Sequence, residues 1–191
     1  MSPNWFIALR VPAPDLRERL GAPPPGVRLI HPDDLHLTLA FLGDVDETRA
    51  RAAWAERHRL APLGPSQRLG FGAVVGLGNP RRPSALSARL AEGDAEFRAA
   101  IARARDAMND ASGSPREQRP PLPHVTLARV RRSAGPREHE AALAWARALD
   151  LGGLGALVER VALYTASSGR GERQYREVEE DALPGAVGPG P

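Results

Sequence analysis

The chain has 191 residues, 42% hydrophobic and 26% charged, the balance of a single globular domain rather than a disordered or multidomain protein. Its basic residues are all arginine and exceed the acidic ones by a net charge of +3, which permits an anionic partner such as RNA without requiring one. There is no cysteine, so disulfides, thiol nucleophiles and cysteine zinc sites are excluded. The first apolar run, Trp5 to Leu9, is too short for a signal peptide and nothing later reaches membrane-spanning length; the expected location is the cytoplasm.

In chain order, residues 5–11 read as a short buried strand closed by Pro12 and Pro14, followed by a brief helix from Asp15 to Leu20. After a Pro-rich loop come a strand at 27–30 and the turn His31-Pro32-Asp33-Asp34. Residues 35–42 alternate apolar side chains with His and Thr, the pattern of a strand with two unlike faces. Asp44 and Glu47 stand at capping-box spacing, predicting a helix to about Arg59 with Ala50, Ala53 and Trp54 on one face. Strands are expected at 67–77 and 84–90, and a helix from 93 or 94 to about 110 with Phe97, Ile101, Ala104 and Met108 at helical spacing. A polar, Pro-rich loop spans 111–123, a second alternating strand 124–130 and a helix 136–149, and strands at 156–166 and 175–180 close the fold. Residues 1–183 are expected to form one domain, and 184–191 a flexible Pro/Gly tail.

The informative feature is a duplication. His36-Leu37-Thr38-Leu39 returns 88 positions later as His124-Val125-Thr126-Leu127, in a chain with only five His and four Thr. Each copy lies in an apolar alternating strand, preceded by a Pro-containing segment and followed by a helix, so it marks an internal repeat of a strand–helix unit. Residues i and i+2 of a strand share a face. His36 and Thr38 therefore point together, as do His124 and Thr126, with the leucines and Val125 turned toward a core. If the two units pair about a pseudo-twofold axis, two imidazoles and two hydroxyls meet in one cleft.

Such a quartet suits phosphodiester chemistry without a metal. One imidazole can take a proton from an attacking oxygen while the other gives one to the leaving oxygen, and the threonine hydroxyls can bond the non-bridging phosphoryl oxygens. A twofold arrangement places acid and base on opposite sides of phosphorus, as in-line displacement requires.

The sequence resembles the 2H phosphoesterase superfamily, and within it the RNA 2′,3′-cyclic phosphodiesterases formerly called 2′-5′ RNA ligases. The resemblance covers about Trp5 to Leu183. It rests on Phe6-Ile7-Ala8-Leu9, the block from Pro32 through His36-Leu37-Thr38-Leu39-Ala40-Phe41-Leu42-Gly43, Asn79-Pro80-Arg81-Arg82-Pro83, Pro123-His124-Val125-Thr126-Leu127-Ala128-Arg129, Leu163-Tyr164 and Tyr175. It implies an α+β, bilobal fold of two pseudo-twofold-related lobes of antiparallel sheet, with helices outside and a central cleft. It implies hydrolysis of a terminal RNA 2′,3′-cyclic phosphate to a 2′-phosphate, with reversible 2′-5′ ligation as a related activity. His36 would be the proton donor and His124 the proton acceptor, Thr38 and Thr126 would bind phosphate, and no cofactor or metal would be needed. The expected partner is RNA with a cyclic phosphate end, tRNA fragments among the candidates, and the protein is expected to act as a monomer away from membranes.

Other assignments stay open at this point. Arg129 is a candidate substrate contact, although strict alternation puts it on the face opposite His124 and only a twist or bulge would return it. Phe6 can stack on a base or belong to the core. Arg81, Arg82, Arg131, Arg132, Arg170 and Arg173 can form a basic rim or scattered surface charge. His31, Asp33, Asp34 and His36 form a compact group of potential metal ligands, but Pro32 and the turn scatter their directions and no zinc spacing fits. Rival functions are a 2H esterase for small cyclic nucleotides or 2′-5′ oligonucleotides, and a non-catalytic module that binds RNA ends.

Overall fold

A computed structural model describes residues 4–167 and 173–185. Among them the strands are β1 (Asn4–Arg10), β2 (Val27–Leu29), β3 (His36–Asp44), β4 (Gln67–Asn79), β5 (Arg82–Glu92), β6 (His124–Val130), β7 (Gly155–Val158), β8 (Arg160–Ala166) and β9 (Tyr175–Ala182). The helices are α1 (Leu16–Leu20), α2 (Glu47–Ala55), α3 (Asp94–Ser112) and α4 (Pro136–Ala148). The fold is α+β, with every strand pair antiparallel. The sheet runs β7-β4-β5-β6-β3-β1-β8-β9, with β2 added to β6.

The centre of that order is a seam between two four-stranded halves. Here β3 and β6 meet through one registered pair, Leu37 with Val125. On either side the halves repeat residue for residue. In β1–β3, Arg10 pairs with His36, Leu9 with Leu37, Ala8 with Thr38, Ile7 with Ala40 and Phe6 with Phe41. In β5–β6, Arg89 pairs with His124, Ala88 with Val125, Ser87 with Thr126, Leu86 with Ala128 and Ala85 with Arg129. Each ladder skips one residue at the same place, Leu39 in one half and Leu127 in the other, the mark of a β-bulge.

Apolar residues on one face of the sheet, among them Leu37, Leu39, Val125, Leu127 and Leu86, are almost wholly buried in the main core. There α3 packs on β3 and α2, and α4 on β4 and β5. Phe97, Ile101, Ala104 and Met108 of α3 line the buried face as their spacing predicts. Burying this many aliphatic and aromatic side chains, at about 1.5–3 kcal/mol each, is the main force holding helices to sheet. A small second cluster, Phe6, Ala8, Ala162 and Tyr164 with Tyr175 against it, lies on the other face.

Two local expectations, the start and the end of α2, need correction, and the expected turn at 32–34 takes a defined form. Helix α2 is capped by Asp46, whose carboxylate accepts from the Arg49 N–H, while Asp44 ends β3. Beyond Ala55 the chain tightens into a 3-10 segment, Glu56–Leu63, which carries Pro62. The turn at 32–34 is one 3-10 turn with His31 as its cap, the imidazole Nδ1 accepting from the Asp33 N–H at 3.2 Å. Most of the Pro/Gly tail and the Gly-containing stretch with Arg170 lie outside the described residues. No helix among the described residues is long and apolar enough to cross a membrane.

Candidate active site

The seam brings the two repeats together. Leu37 and Val125, the middle residues of the two His-x-Thr units, face each other. Counting outward in antiparallel sense sets His36 across from Thr126 and Thr38 across from His124, all four on the face opposite the buried leucines. All four are partly exposed, while Leu37 and Val125 are fully buried.

Both histidines are held in the same way. His36 Nδ1 lies 2.6 Å from the Asp34 carbonyl oxygen and His124 Nδ1 2.7 Å from that of Leu122, in each case two residues upstream. A carbonyl only accepts, so Nδ1 carries the proton and the neutral ring keeps its lone pair on Nε2. Burial pushes the His36 pKa down to about 4, with Arg129 and His124 adding to the effect. Burial also lowers that of His124, helped by Arg89 and Arg129.

Arg129 belongs to this site. The bulge at Leu127 and Ala128, both buried, resets the alternation, so Arg129 returns to the face of His124 and Thr126. Strict period-two reading fails here, and the adjacent apolar pair Leu127-Ala128 is the sequence signal that marks the bulge. Its counterpart Leu39-Ala40 does the same for Phe41, which is 58% exposed.

The two halves then differ. Beside His36, the rings of Phe6, Tyr175 and Tyr164 stand 4.9, 5.4 and 5.9 Å from the imidazole. Phe6 stacks on Tyr164 at 5.0 Å and is almost completely buried, so it braces His36 rather than offering a face to a ligand. Where the first half has Phe6 paired with Tyr164, the second has Ala85 paired with Leu77. On that side lies a cavity of about 820 Å³ bordered by Thr38, His124, Phe41, Leu77, Ile101 and Leu122. Over it runs the Pro-rich segment 115–122, tied to α3 because Arg98, Arg105 and Asn109 donate to the carbonyls of Pro121, Arg119 and Pro115.

Two supporting groups carry no local sequence signal. Ser87, fully buried, pairs its hydroxyl with that of Thr126 at 3.2 Å, where the other half has Ala8 beside Thr38. Asp34, read as turn chemistry, is buried and accepts from Gln174 N–H at 2.6 Å and Arg173 Nε at 3.2 Å. It thereby anchors the start of β9, and with it Tyr175, beside His36. Arg173, also paired with Glu177, is therefore structural rather than part of a free basic rim. Asp34→Ala is expected to lower stability by about 2–3 kcal/mol, the cost of leaving those donors unpaired, read as a lower midpoint in urea with unchanged slope.

Residues 10–86, which contain the first His-x-Thr unit, match the family described as LigT like phosphoesterase. The second unit lies outside that match but reproduces its register and bulge. Over residues 10–86 the chain is similar to the LigT-like phosphoesterases. Solved structures of the same fold cover almost all of it. The Thermus thermophilus protein TT0787 is 27% identical over 95% of this chain and 98% of its own, with a TM-score of 0.69. A phosphoesterase structure is 25% identical over 96% and 99%, with a TM-score of 0.67. Escherichia coli LigT complexed with 3′-AMP is 24% identical over 96% and 99%, with a TM-score of 0.70. No curated protein sequence matches significantly. The quartet and Arg129 bring two imidazoles, two hydroxyls and a fixed positive charge to one face of the sheet.

Proposed function

We propose that this phosphoesterase opens the terminal 2′,3′-cyclic phosphate of RNA to a 2′-phosphate, using only its own side chains. The observation that carries this reading is the meeting of the two His-x-Thr units across Leu37 and Val125, with each imidazole anchored through Nδ1. That arrangement presents two Nε2 atoms for proton transfer on a common face.

In the proposed step a water oxygen attacks phosphorus and His124 Nε2 takes its proton. The P–O3′ bond breaks and protonated His36 gives its Nε2 proton to O3′, leaving the phosphate on O2′. The Thr38 and Thr126 hydroxyls donate to the non-bridging oxygens and Arg129 offsets their charge, where donors fixed in advance matter most. Ser87 orients the Thr126 hydroxyl. The donor role of His36 follows the family resemblance, and its low pKa in the free protein rises when the phosphodiester anion lies against it. In the parallel path a 5′-hydroxyl of a second RNA end attacks phosphorus in place of water, His124 takes its proton, the P–O3′ bond breaks and His36 protonates O3′. That leaves a 2′-5′ linkage; its reverse is transesterification of that linkage to the cyclic phosphate.

The cavity beside Thr38 and His124 is large enough for a nucleoside, and exposed Phe41 offers a stacking surface for its base. Stacking of a base on an aromatic ring is worth about 1–3 kcal/mol. Phe41→Ala is therefore expected to raise KM about tenfold with little change in kcat, measured by steady-state kinetics on a cyclic-phosphate substrate. The reading is tested by comparing an RNA oligomer ending in a 2′,3′-cyclic phosphate with adenosine 2′,3′-cyclic phosphate. A higher kcat/KM on the oligomer supports it. Turnover of the mononucleotide alone assigns the site to small cyclic nucleotides, and salt-sensitive binding without product leaves only an RNA-end binding module.

A further inference from the structure

The two halves place an arginine at the same point but treat it differently. Arg10 is registered to His36 and Arg89 to His124. Registered residues of an antiparallel pair share a face, with Cβ atoms about 4.5–5.5 Å apart, so each guanidinium starts beside a histidine. Arg10 is neutralised by Glu180 at 2.7 Å and by Glu177 at 3.9 Å. Arg89 reaches a carboxylate only at 4.0 Å, that of Asp94. Arg98 holds the other oxygen of that carboxylate, Oδ2, with Nη2 at 2.7 Å and Nε at 3.2 Å. Oδ1, the oxygen that faces Arg89, lies beyond hydrogen-bond distance of it and makes no hydrogen bond among the described residues. Arg89 Nε is shielded from solvent and has no hydrogen-bond partner among the described residues.

The His124 side thus carries a surplus of positive charge: Arg89 and Arg98 share one carboxylate, and Arg129 stands on the same face. A shielded guanidinium N–H without an acceptor is costly, and the planar fork of an arginine matches the oxygens of a phosphate. The reacting phosphoryl group already has the quartet and Arg129. Arg89 is left over.

We propose that Arg89 binds a second phosphate of the substrate, beside the one that reacts. The inference rests on the phosphodiesterase reading and narrows its substrate class. It favours 5′-phosphorylated or oligonucleotide cyclic phosphates over cyclic phosphates of a bare nucleoside. The counterpart Arg10, consumed by Glu180 and Glu177, provides no such place on the His36 side.

The test is binding of two product-like ligands, adenosine 2′-phosphate and adenosine 2′,5′-bisphosphate, by calorimetry at low ionic strength. The proteins are the wild type, Arg89→Ala and Arg89→Gln, two variants so that a folding defect in one leaves the other. The wild type is expected to bind the bisphosphate at least about tenfold more tightly, the size of one charge-assisted contact. Both variants are expected to bind the two ligands about equally. Equal affinities in the wild type, or a preference that survives in the variants, overturn the proposal. Turnover of adenosine 2′,3′-cyclic phosphate by the same wild-type preparation separates the two readings. An Arg89-dependent preference without turnover of this or of a cyclic-phosphate-ended RNA keeps the second-phosphate site and refutes the phosphodiesterase. Failure to bind either ligand refutes both.

Discussion

Replacing His36 or His124 by alanine is expected to lower kcat on a cyclic-phosphate substrate by about 10²–10⁴-fold, the usual worth of a positioned general acid or base. The effect is large because nothing adjacent can substitute. Each Nε2 is aimed by a single Nδ1 contact to a backbone carbonyl, and Asp33 and Asp34 are committed to the turn and to Arg173 and Gln174. The double variant should lose little more than the worse single variant, since the two rings act in one step. Stopped-flow or discontinuous assays of single turnover, with circular dichroism to verify folding, check both statements. Undiminished turnover in the double variant would remove the two histidines from the chemistry.

Arg129→Ala is expected to lower kcat by about 10²–10³-fold, as loss of a preorganised charge at a developing oxyanion does. It also has a pH signature. Arg129 lowers the pKa of both His36 and His124, so removing it raises both. The kcat/KM profile of the wild type reports the free enzyme and needs one ring protonated and the other neutral. With His36 at about 4 and His124 below its ordinary 6.5, the optimum lies on the acid side of neutrality and both limbs lie below pH 6.5. In Arg129→Ala both limbs move to higher pH. A merely structural arginine would leave the limbs in place, so the profile distinguishes the roles even where kcat falls in both cases.

The quartet was legible because a strand has a period of two and the repeat preserves it. His36 with Thr38, and His124 with Thr126, had to share a face whatever the topology. The meeting of the two pairs needed the Leu37–Val125 register, which the duplication suggests and only the folded sheet displays. Phe41 was hidden by the same periodicity, and Arg129 could be named only on condition of a bulge, because the bulges at Leu127 and Leu39 shift the phase by one residue. The brace around His36 was out of reach for another reason. Tyr164, Tyr175 and the Asp34 contacts with Arg173 and Gln174 come from the far end of the chain, and no local pattern encodes a partner at that separation. Arg89 looked like one polar residue in an alternating strand, and its pairing with His124 gives it meaning. The boundary of α2 shifted because Asp46, rather than Asp44, reaches the Arg49 N–H.

The central claim is tested most directly by incubating the protein, with EDTA present, with an RNA oligomer ending in a 2′,3′-cyclic phosphate. The product is then identified by mass, phosphatase treatment and periodate sensitivity, and its terminal nucleotide, released by nuclease digestion, is compared by chromatography with authentic 2′- and 3′-phosphates. The account predicts a gain of one water and a 2′-phosphate end that resists periodate until the phosphate is removed. An unchanged cyclic end, or a product bearing a 3′-phosphate, would contradict it.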